Sequence, residues 1–355
     1  MADKTLFMTG GTGFLGKELL KIYLSQPVGI LLLTQEKFRP GIEAFLRERK
    51  GIAKVRLVPG DITRGNLGIS PADLEEVREK TNIVLHLAAA YNLALDRATG
   101  RAINVEGTRR VVDIVAKIPH LEQFGYLSTT AISGTHAGPF LESDFDVGQE
   151  FKNFYEETKF EAEKIVREAL ARIPTTIFRP TIIVGNSRTG EMEKIDGPYY
   201  AMRMISRKLH VVLQRAPSVK CHIEPVDFVA ATIHALMNNR EAVGKTIHIA
   251  DPNPLSYDEF LELLIDRMKT FRPLLRLSPR LMAPLFRIPG FSWLTGVPRQ
   301  SFAYTMVPVD YGTGTMTTLL QSTGIRCPAL PSYIDILIQY FKDHRGSSSR
   351  SPVRW

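Results

Sequence analysis

Tyr155 and Lys159 stand four residues apart in Phe154–Ile173, a segment of helical period, so the two side chains share a face. A tyrosine phenol titrates near pH ~10, and a positive charge beside it favours the phenolate, which brings proton exchange towards working pH. Such a pair suits the delivery of a proton to an oxygen that is gaining negative charge. A second set of hydroxyls, Ser128-Thr129-Thr130, closes the apolar run that begins at Phe124 and precedes Gly134. Neighbouring residues of a strand face opposite ways, so spacing alone leaves open which of the three hydroxyls would join the tyrosine.

The other chemical signal is Thr9-Gly10-Gly11-Thr12-Gly13-Phe14-Leu15-Gly16, set between the apolar run Thr5–Thr9 and the helical pattern Lys17–Leu24. A strand-to-helix turn of this composition suits a diphosphate. Gly10 permits the tight turn, Gly13 the approach of phosphate to backbone N–H groups, and Gly16 close packing of helix on sheet.

The elements that must position these residues alternate along the first half of the chain. Strands are expected at 5–9, 29–33, 54–59, 83–87, 124–128 and 176–184, with amphipathic segments between them, which is the pattern of βαβ units and a parallel sheet. Ser70-Pro71-Ala72-Asp73 starts one helix with a capping hydroxyl and a proline at the first helical position. Val105–Ile118 and Phe154–Ile173 supply two more. The fold class expected is α/β, a Rossmann-type doubly wound parallel sheet with a smaller, mostly helical C-terminal lobe. Residues 1–185 and about 222–250 make the dinucleotide domain, 186–221 and 251–344 the lobe, and 345–355 a disordered tail.

With these elements in order, the chain resembles the extended short-chain dehydrogenase/reductase superfamily. The resemblance rests on the glycine turn, Gly60-Asp61-Ile62, Leu87-Ala88-Ala89-Ala90, Asn104-Val105-Glu106-Gly107-Thr108, the Tyr155/Lys159 pair and Arg179-Pro180-Thr181. Within it, 151–163, Gly60–Thr63, 66–70 and Gly324–Pro328 are similar to male-sterility proteins, fatty acyl-CoA reductases and thioester reductase domains. The resemblance implies Thr129 as the hydroxyl that joins Tyr155 and Lys159 in catalysis. It also implies cofactor contacts at Gly10, Thr12, Gly13, Phe14, Leu15, Gly16, Gln35, Lys37, Asp61, Ile62, Ala88, Ala89, Ala90, Asn104, Tyr155, Lys159, Pro180, Thr181 and Ile182. His86, inside a strand, reads as structural.

The cofactor implied is NADH or NADPH. Gln35 stands where thioester reductases tend to place arginine, which tilts the choice towards NADH, with Lys37 or Arg39 able to substitute. The reaction implied is hydride transfer to a ketone, aldehyde or acyl thioester of a hydrophobic substrate that arrives free, on CoA or on a separate carrier. Thr130-Ala131 after the strand lacks the Asp-Glu pair a sugar-nucleotide dehydratase uses. A nucleotide-sugar epimerase and a non-catalytic NAD(P)H sensor or scaffold remain as alternatives.

Composition sets bounds on partners. In 355 residues, 44% are hydrophobic and 23% charged, as in an ordinary globular protein. Two distant cysteines, Cys221 and Cys327, suggest neither disulfides nor a metal site, so a reducing cytoplasm is expected. No signal-peptide pattern opens the sequence and no uncharged apolar run approaches the ~20 residues of a membrane span. The net charge of +8 is concentrated in Arg267–Val309, with seven Lys or Arg and no Asp or Glu, and no motif or basic-aromatic array points to nucleic acid. This stretch also carries Leu274, Leu281, Phe286, Trp293 and Leu294. It reads as a lid whose apolar residues face the substrate and whose arginines are solvated, with docking on a membrane surface or capture of CoA phosphates as alternatives. A homodimer is expected from the resemblance.

Overall fold

The computed structural model describes residues 4–344 apart from Lys50, Leu93, Lys194, Ile195 and Pro289. The expected tail at 345–355 lies outside the described residues. Seven strands, β1 (Thr5–Thr9), β2 (Gly29–Thr34), β3 (Lys54–Pro59), β4 (Ile83–His86), β5 (Gln123–Leu127), β6 (Thr175–Pro180) and β7 (Thr246–Ile249), form one parallel sheet in the order β7-β6-β5-β4-β1-β2-β3. The chain winds outward from β1 to β3, then crosses to β4 on the other side. The crevice between β1 and β4, at the carboxyl ends of the strands, is where ligands of such sheets bind.

The strands are apolar in nearly every position because both faces of the sheet are covered. Leu6, Met8, Ile30, Leu32 and Leu85 pack on one side against Leu19 and Leu20 of α1 (Phe14–Tyr23). Phe7, Leu31, Leu33, Val84 and Phe124 pack on the other side against Val111, Val112 and Val166. These valines belong to two further helices, α2 (Glu106–Val115) and α3 (Phe154–Ala169). The helix starts are chemically marked: the Ser70 hydroxyl accepts from the backbone N–H of Asp73 at 3.1 Å, and Asn153 accepts from that of Glu156 at 3.0 Å.

The strand expected at 176–184 is broken in two. After Pro180 the chain leaves the main sheet, and Ile182–Val184 pairs instead with Ile223–Pro225, so Thr181 sits at a fork. Before α2, Arg101–Val105 forms a π turn that contains Asn104. The lobe has its own core, in which Tyr199, Met202 and Ile205 of α4 (Tyr199–Ser206) meet Phe260, Leu264, Ile334, Leu337 and Phe341. Helix α5 (Val226–Leu236) packs on the sheet side through Val229 and Ile233, and Gly314–Leu320 joins it there through Met316 and Leu319. The C-terminal segment expected to form the lobe therefore also sends a helix back to the dinucleotide domain.

The basic stretch leaves several of its apolar residues open to solvent. Met282 and Phe302 are buried, but Leu274 is 85% exposed, Trp293 84% and Leu281 63%. Proline and glycine keep its helices to five residues or fewer, too short to bury a continuous apolar face.

One buried polar contact ties the layers together. Arg179 of β6 and Glu163 of α3, both fully buried, form a two-pronged ion pair (Nη2–Oε1 2.6 Å, Nε–Oε2 3.0 Å). Removing one partner leaves an uncompensated charge in the core. Arg179→Met should cost roughly 3–5 kcal/mol, and Glu163→Leu/Arg179→Met should recover most of that loss. Denaturant unfolding of both variants measures this, and equal losses in the single and double variant would contradict it.

Candidate active site

The glycine turn closes on itself before it meets any ligand. Gly10 adopts φ +76°, and a Cβ there would stand 2.4 Å from the backbone nitrogen of Ala88. A Cβ on Gly16 would stand 2.3 Å from the Gly10 carbonyl oxygen. The turn, the start of α1 and the loop after β4 thus touch backbone to backbone. No side chain caps α1 and its first turn carries no acid, so its leading N–H groups face the crevice free to receive an anion. Only the Gly10 carbonyl, 3.5 Å away, borders the space where a Cβ of Gly13 would stand. This cradle fits the diphosphate of a dinucleotide.

The remaining residues expected at the cofactor divide into those at the crevice and those that support it. Ala88 and Ala89 are half-buried at the end of β4. Asn104 accepts from the Ala90 N–H at 2.7 Å and donates to the Ala90 carbonyl at 3.2 Å and to Thr158 at 3.0 Å, so it clamps this loop from behind. Ile62 points into the core against Gly107. Asp61 accepts from the N–H and hydroxyl of Thr63, both at 2.8 Å, and its own N–H donates to Leu67 at 2.6 Å. Gln35 begins the turn after β2; Arg39 is held by Glu43 at 2.8 Å, whereas Lys37 lies over the Phe38 ring. Thr12 and Phe14 are half-buried beside the turn, with Leu15 inside, and Ile182 is exposed at the fork.

The three hydroxyls after β5 have separate partners. Ser128 donates to Glu163 at 2.5 Å, inside the buried ion pair. Thr130 faces Tyr311 and the Pro180 carbonyl. Thr129, still extended at φ −160°, faces the Tyr155 hydroxyl and reaches the Pro180 carbonyl at 3.4 Å. Alternation along the strand thus separates Thr129 from Ser128.

Lys159 departs from the expected arrangement. Its ammonium donates to the Leu127 carbonyl at 2.6 Å and the Tyr126 hydroxyl at 3.1 Å rather than to Tyr155. Burial pulls it down to about 7, against the support of the Glu163 charge. Burial pushes the Tyr155 phenol up, and the contact with Thr129 only partly offsets this. Contrary to the phenolate expected from the spacing of Tyr155 and Lys159, desolvation dominates and Tyr155 holds its proton. His86, bonded to Thr9 at 2.7 Å and Thr108 at 3.1 Å, is brought down to about 3 by burial and then by the Lys159 charge. It is a neutral structural group.

Residues 8–233, more than half of the chain, match the NAD-binding family described as male sterility protein. The chain belongs to this family. It is 30% identical over 274 residues to the fatty acyl-CoA reductase wat of Drosophila melanogaster, a match that covers 63% of this chain and 52% of that protein. It is 29% identical to the glycine betaine reductase ATRR of Emericella nidulans, covering 71% of this chain and 21% of that one. The chain thus spans about half or less of these relatives. Among solved structures, the terminal R domain of the myxalamid PKS-NRPS pathway is 26% identical with a TM-score of 0.80, covering 98% of this chain and 92% of that one. The family accounts for the cradle: its ligand is a nicotinamide dinucleotide.

Several residues at the site went unnoticed in the sequence. Tyr91 meets Tyr155 edge-on at 5.1 Å, and Tyr304, bonded to Asn153 at 2.8 Å, lies close by. Tyr91 directly follows the alanines after β4, a position at the carboxyl edge of the sheet that could have marked it. Tyr304 comes from a segment with no periodic signal. At the fork, the Thr181 hydroxyl donates to the buried Glu224, which also accepts from the Asp251 N–H at 2.7 Å. Burial pushes the Glu224 carboxyl well up. Among the described residues, no cluster of three or more His, Cys, Asp or Glu is placed to hold a metal ion, and no helix is long and apolar enough to cross a membrane.

The Lys159 geometry makes a stability prediction. A lysine whose pKa is lowered on folding binds fewer protons in the folded chain than in the unfolded one between about 7 and its ordinary value. Its penalty is full below pH 7 and fades as pH rises. The stability of the protein relative to Lys159→Met should therefore rise by roughly 4 kcal/mol between pH 6 and 10. Paired denaturant titrations across that range test it, and a constant difference would refute it.

Proposed function

We propose that the protein is an NAD(P)H-dependent reductase that acts on the carbonyl of a hydrophobic substrate, with Tyr155 as proton donor and Thr129 and Lys159 as its partners. The observation that carries this reading is the meeting of the Thr129 and Tyr155 hydroxyls at the carboxyl edge of the sheet, the edge that also carries the diphosphate cradle. The nicotinamide, when bound, supplies a hydride to the carbonyl carbon. Tyr155 delivers its proton to the carbonyl oxygen, while Thr129 donates a hydrogen bond to the same atom and stabilises the charge that develops there. A phenol held protonated by burial suits the reducing direction, in which the tyrosine must begin the cycle with its proton. The lysine ammonium, tethered to the Leu127 carbonyl at the end of β5, shares the helix face of Tyr155.

With an aldehyde or ketone the product is an alcohol. With a thioester the same step gives a hemithioacetal, whose C–S bond then breaks to release a thiol and an aldehyde. The names of the relatives, a fatty acyl-CoA reductase and a terminal R domain, support the thioester. The tyrosine rim of Tyr91, Tyr200 and Tyr304 supports an apolar acyl group. NADH is the donor this reading favours, because Glu43 and Glu36 already engage Arg39 at the end of β2.

Tyr155→Phe should lower the rate of cofactor oxidation by about 10²–10⁴-fold with octanoyl-CoA or a medium-chain aldehyde, while NADH binding followed by fluorescence stays within about threefold. Thr129→Ala should lose about 10²-fold. Full turnover by Tyr155→Phe would remove the proposed proton donor, and dinucleotide binding without turnover of any carbonyl substrate would favour a sensor.

A further inference from the structure

We infer that a cleft at the C-terminal end of α4 binds the nucleotide end of an acyl-CoA, and so holds the thioester by its handle while the acyl carbonyl lies at Tyr155. The inference rests on the thioester reading above and adds a second site to it. The cleft, about 390 Å³, is lined by Arg203, Arg207, Ser292, Trp293, Gly296 and Pro298. Arg203 and Arg207 are one helical turn apart on the same face of α4 and its first following residue, so their guanidinium groups open on one space. Neither meets a carboxylate among the described residues. Arg207 donates only to the carbonyls of Leu294 at 3.1 Å and Trp293 at 3.4 Å, and Arg203 lies 6.0 Å from the Tyr200 ring.

Two arginines without a carboxylate partner beside an indole are suited to a nucleotide. A guanidinium meets phosphate oxygens with two parallel hydrogen bonds, and the exposed Trp293 face can stack on a purine. Arg203 packs across Gly296 at the edge of the cleft. Gly296 has φ +72°, and a Cβ there would stand 2.6 Å from Cδ of Arg203.

The position of the cleft relative to Tyr155 gives it a use. The start of α4 belongs to the active-site rim: Gly197 borders Ile182 at the fork, and Tyr200 and Tyr155 both bear electrostatically on Tyr91. From Tyr200 to Arg207 the chain advances seven helical positions, about 10 Å. The helix therefore leads from the reacting carbonyl to the arginines, as a substrate must whose thioester and phosphates are separated by a flexible arm. The segment that supplies Trp293 also carries Arg280 and Arg287, both exposed and without a carboxylate partner among the described residues.

The test compares octanoyl-CoA with octanoyl-pantetheine, the same thioester without phosphates or nucleotide, in wild type, Arg203→Ala/Arg207→Ala and Trp293→Ala, together with calorimetric titration of free coenzyme A. The arginine pair should raise KM for octanoyl-CoA and Kd for coenzyme A by about 100-fold, roughly tenfold per arginine, with kcat and the KM for octanoyl-pantetheine unchanged. Trp293→Ala should weaken coenzyme A binding by about tenfold. Arg203→Lys/Arg207→Lys keeps the charge, loses the fork and should fall between.

Equal losses on both thioesters would overturn the inference, since the arginines would then serve the fold or the reaction. Unchanged coenzyme A binding would also overturn it, as would a loss confined to binding of phosphatidylserine vesicles, which would assign the cleft to lipid headgroups. If no thioester is reduced at all, the proposed function fails instead, and the coenzyme A titration still decides the cleft.

Discussion

The ion pair between Glu163 and Arg179 is the constraint around which the site is arranged. Taking two full charges into a core costs several kcal/mol each, and is tolerable only when every lone pair and proton is matched. Here the match extends in all directions: Glu163 also accepts from Ser128 and from Arg167 at 2.8 Å, and Arg179 also donates to the Asp144 carbonyl at 2.8 Å and lies 3.2 Å from His248. Burial works to raise the Glu163 carboxyl, but Arg179, Arg167 and Ser128 together outweigh it and hold it below its ordinary range. The pair stays ionised. Because it takes Ser128, it fixes the face of the β5 end, and Thr129 is left on the side of Tyr155.

The same helix, α3, carries Tyr155, Lys159 and Glu163 at successive four-residue steps, so one face of one helix holds the phenol, the ammonium and the carboxylate. Their burial increases along it: Tyr155 is half-buried, Lys159 nearly buried and Glu163 fully buried. A graded environment of this kind separates three titrations that would overlap less usefully in water. Desolvation raises the phenol and lowers the ammonium, and only Glu163 has enough opposite charge around it to resist.

Most of the dinucleotide half was legible because its signals are local. Gly10 and Gly16 are required by backbone contacts within a single turn, and Ser70 marks a helix start by its own chemistry. The sheet follows from apolar runs that bury both faces. What the sequence hid depends on contacts between distant residues. The Arg179 side chain finds Glu163 sixteen positions away, and the Lys159 ammonium finds a carbonyl on β5 instead of its neighbour on the helix. Spacing put Lys159 and Tyr155 on one face correctly, yet it could not reveal which acceptor would win. Tyr304 and the exposure of Trp293 were beyond reach for a further reason: short segments broken by proline and glycine have no period to read.

Within this arrangement the two halves of the protein meet different demands. The dinucleotide half needs backbone at close quarters, so glycine and alanine line it and substitution is limited by atoms 2.3–2.4 Å from a hypothetical Cβ. The lobe needs to present side chains, and it does so from short elements anchored at a few points, such as Gln214 to Thr305 at 2.8 Å and Asn153 to Tyr304. The second anchor joins the lobe to the residue that caps the helix of Tyr155. Through that cap the segment of Tyr304 and the helix of Tyr155 are held together by one side-chain amide, away from the sheet.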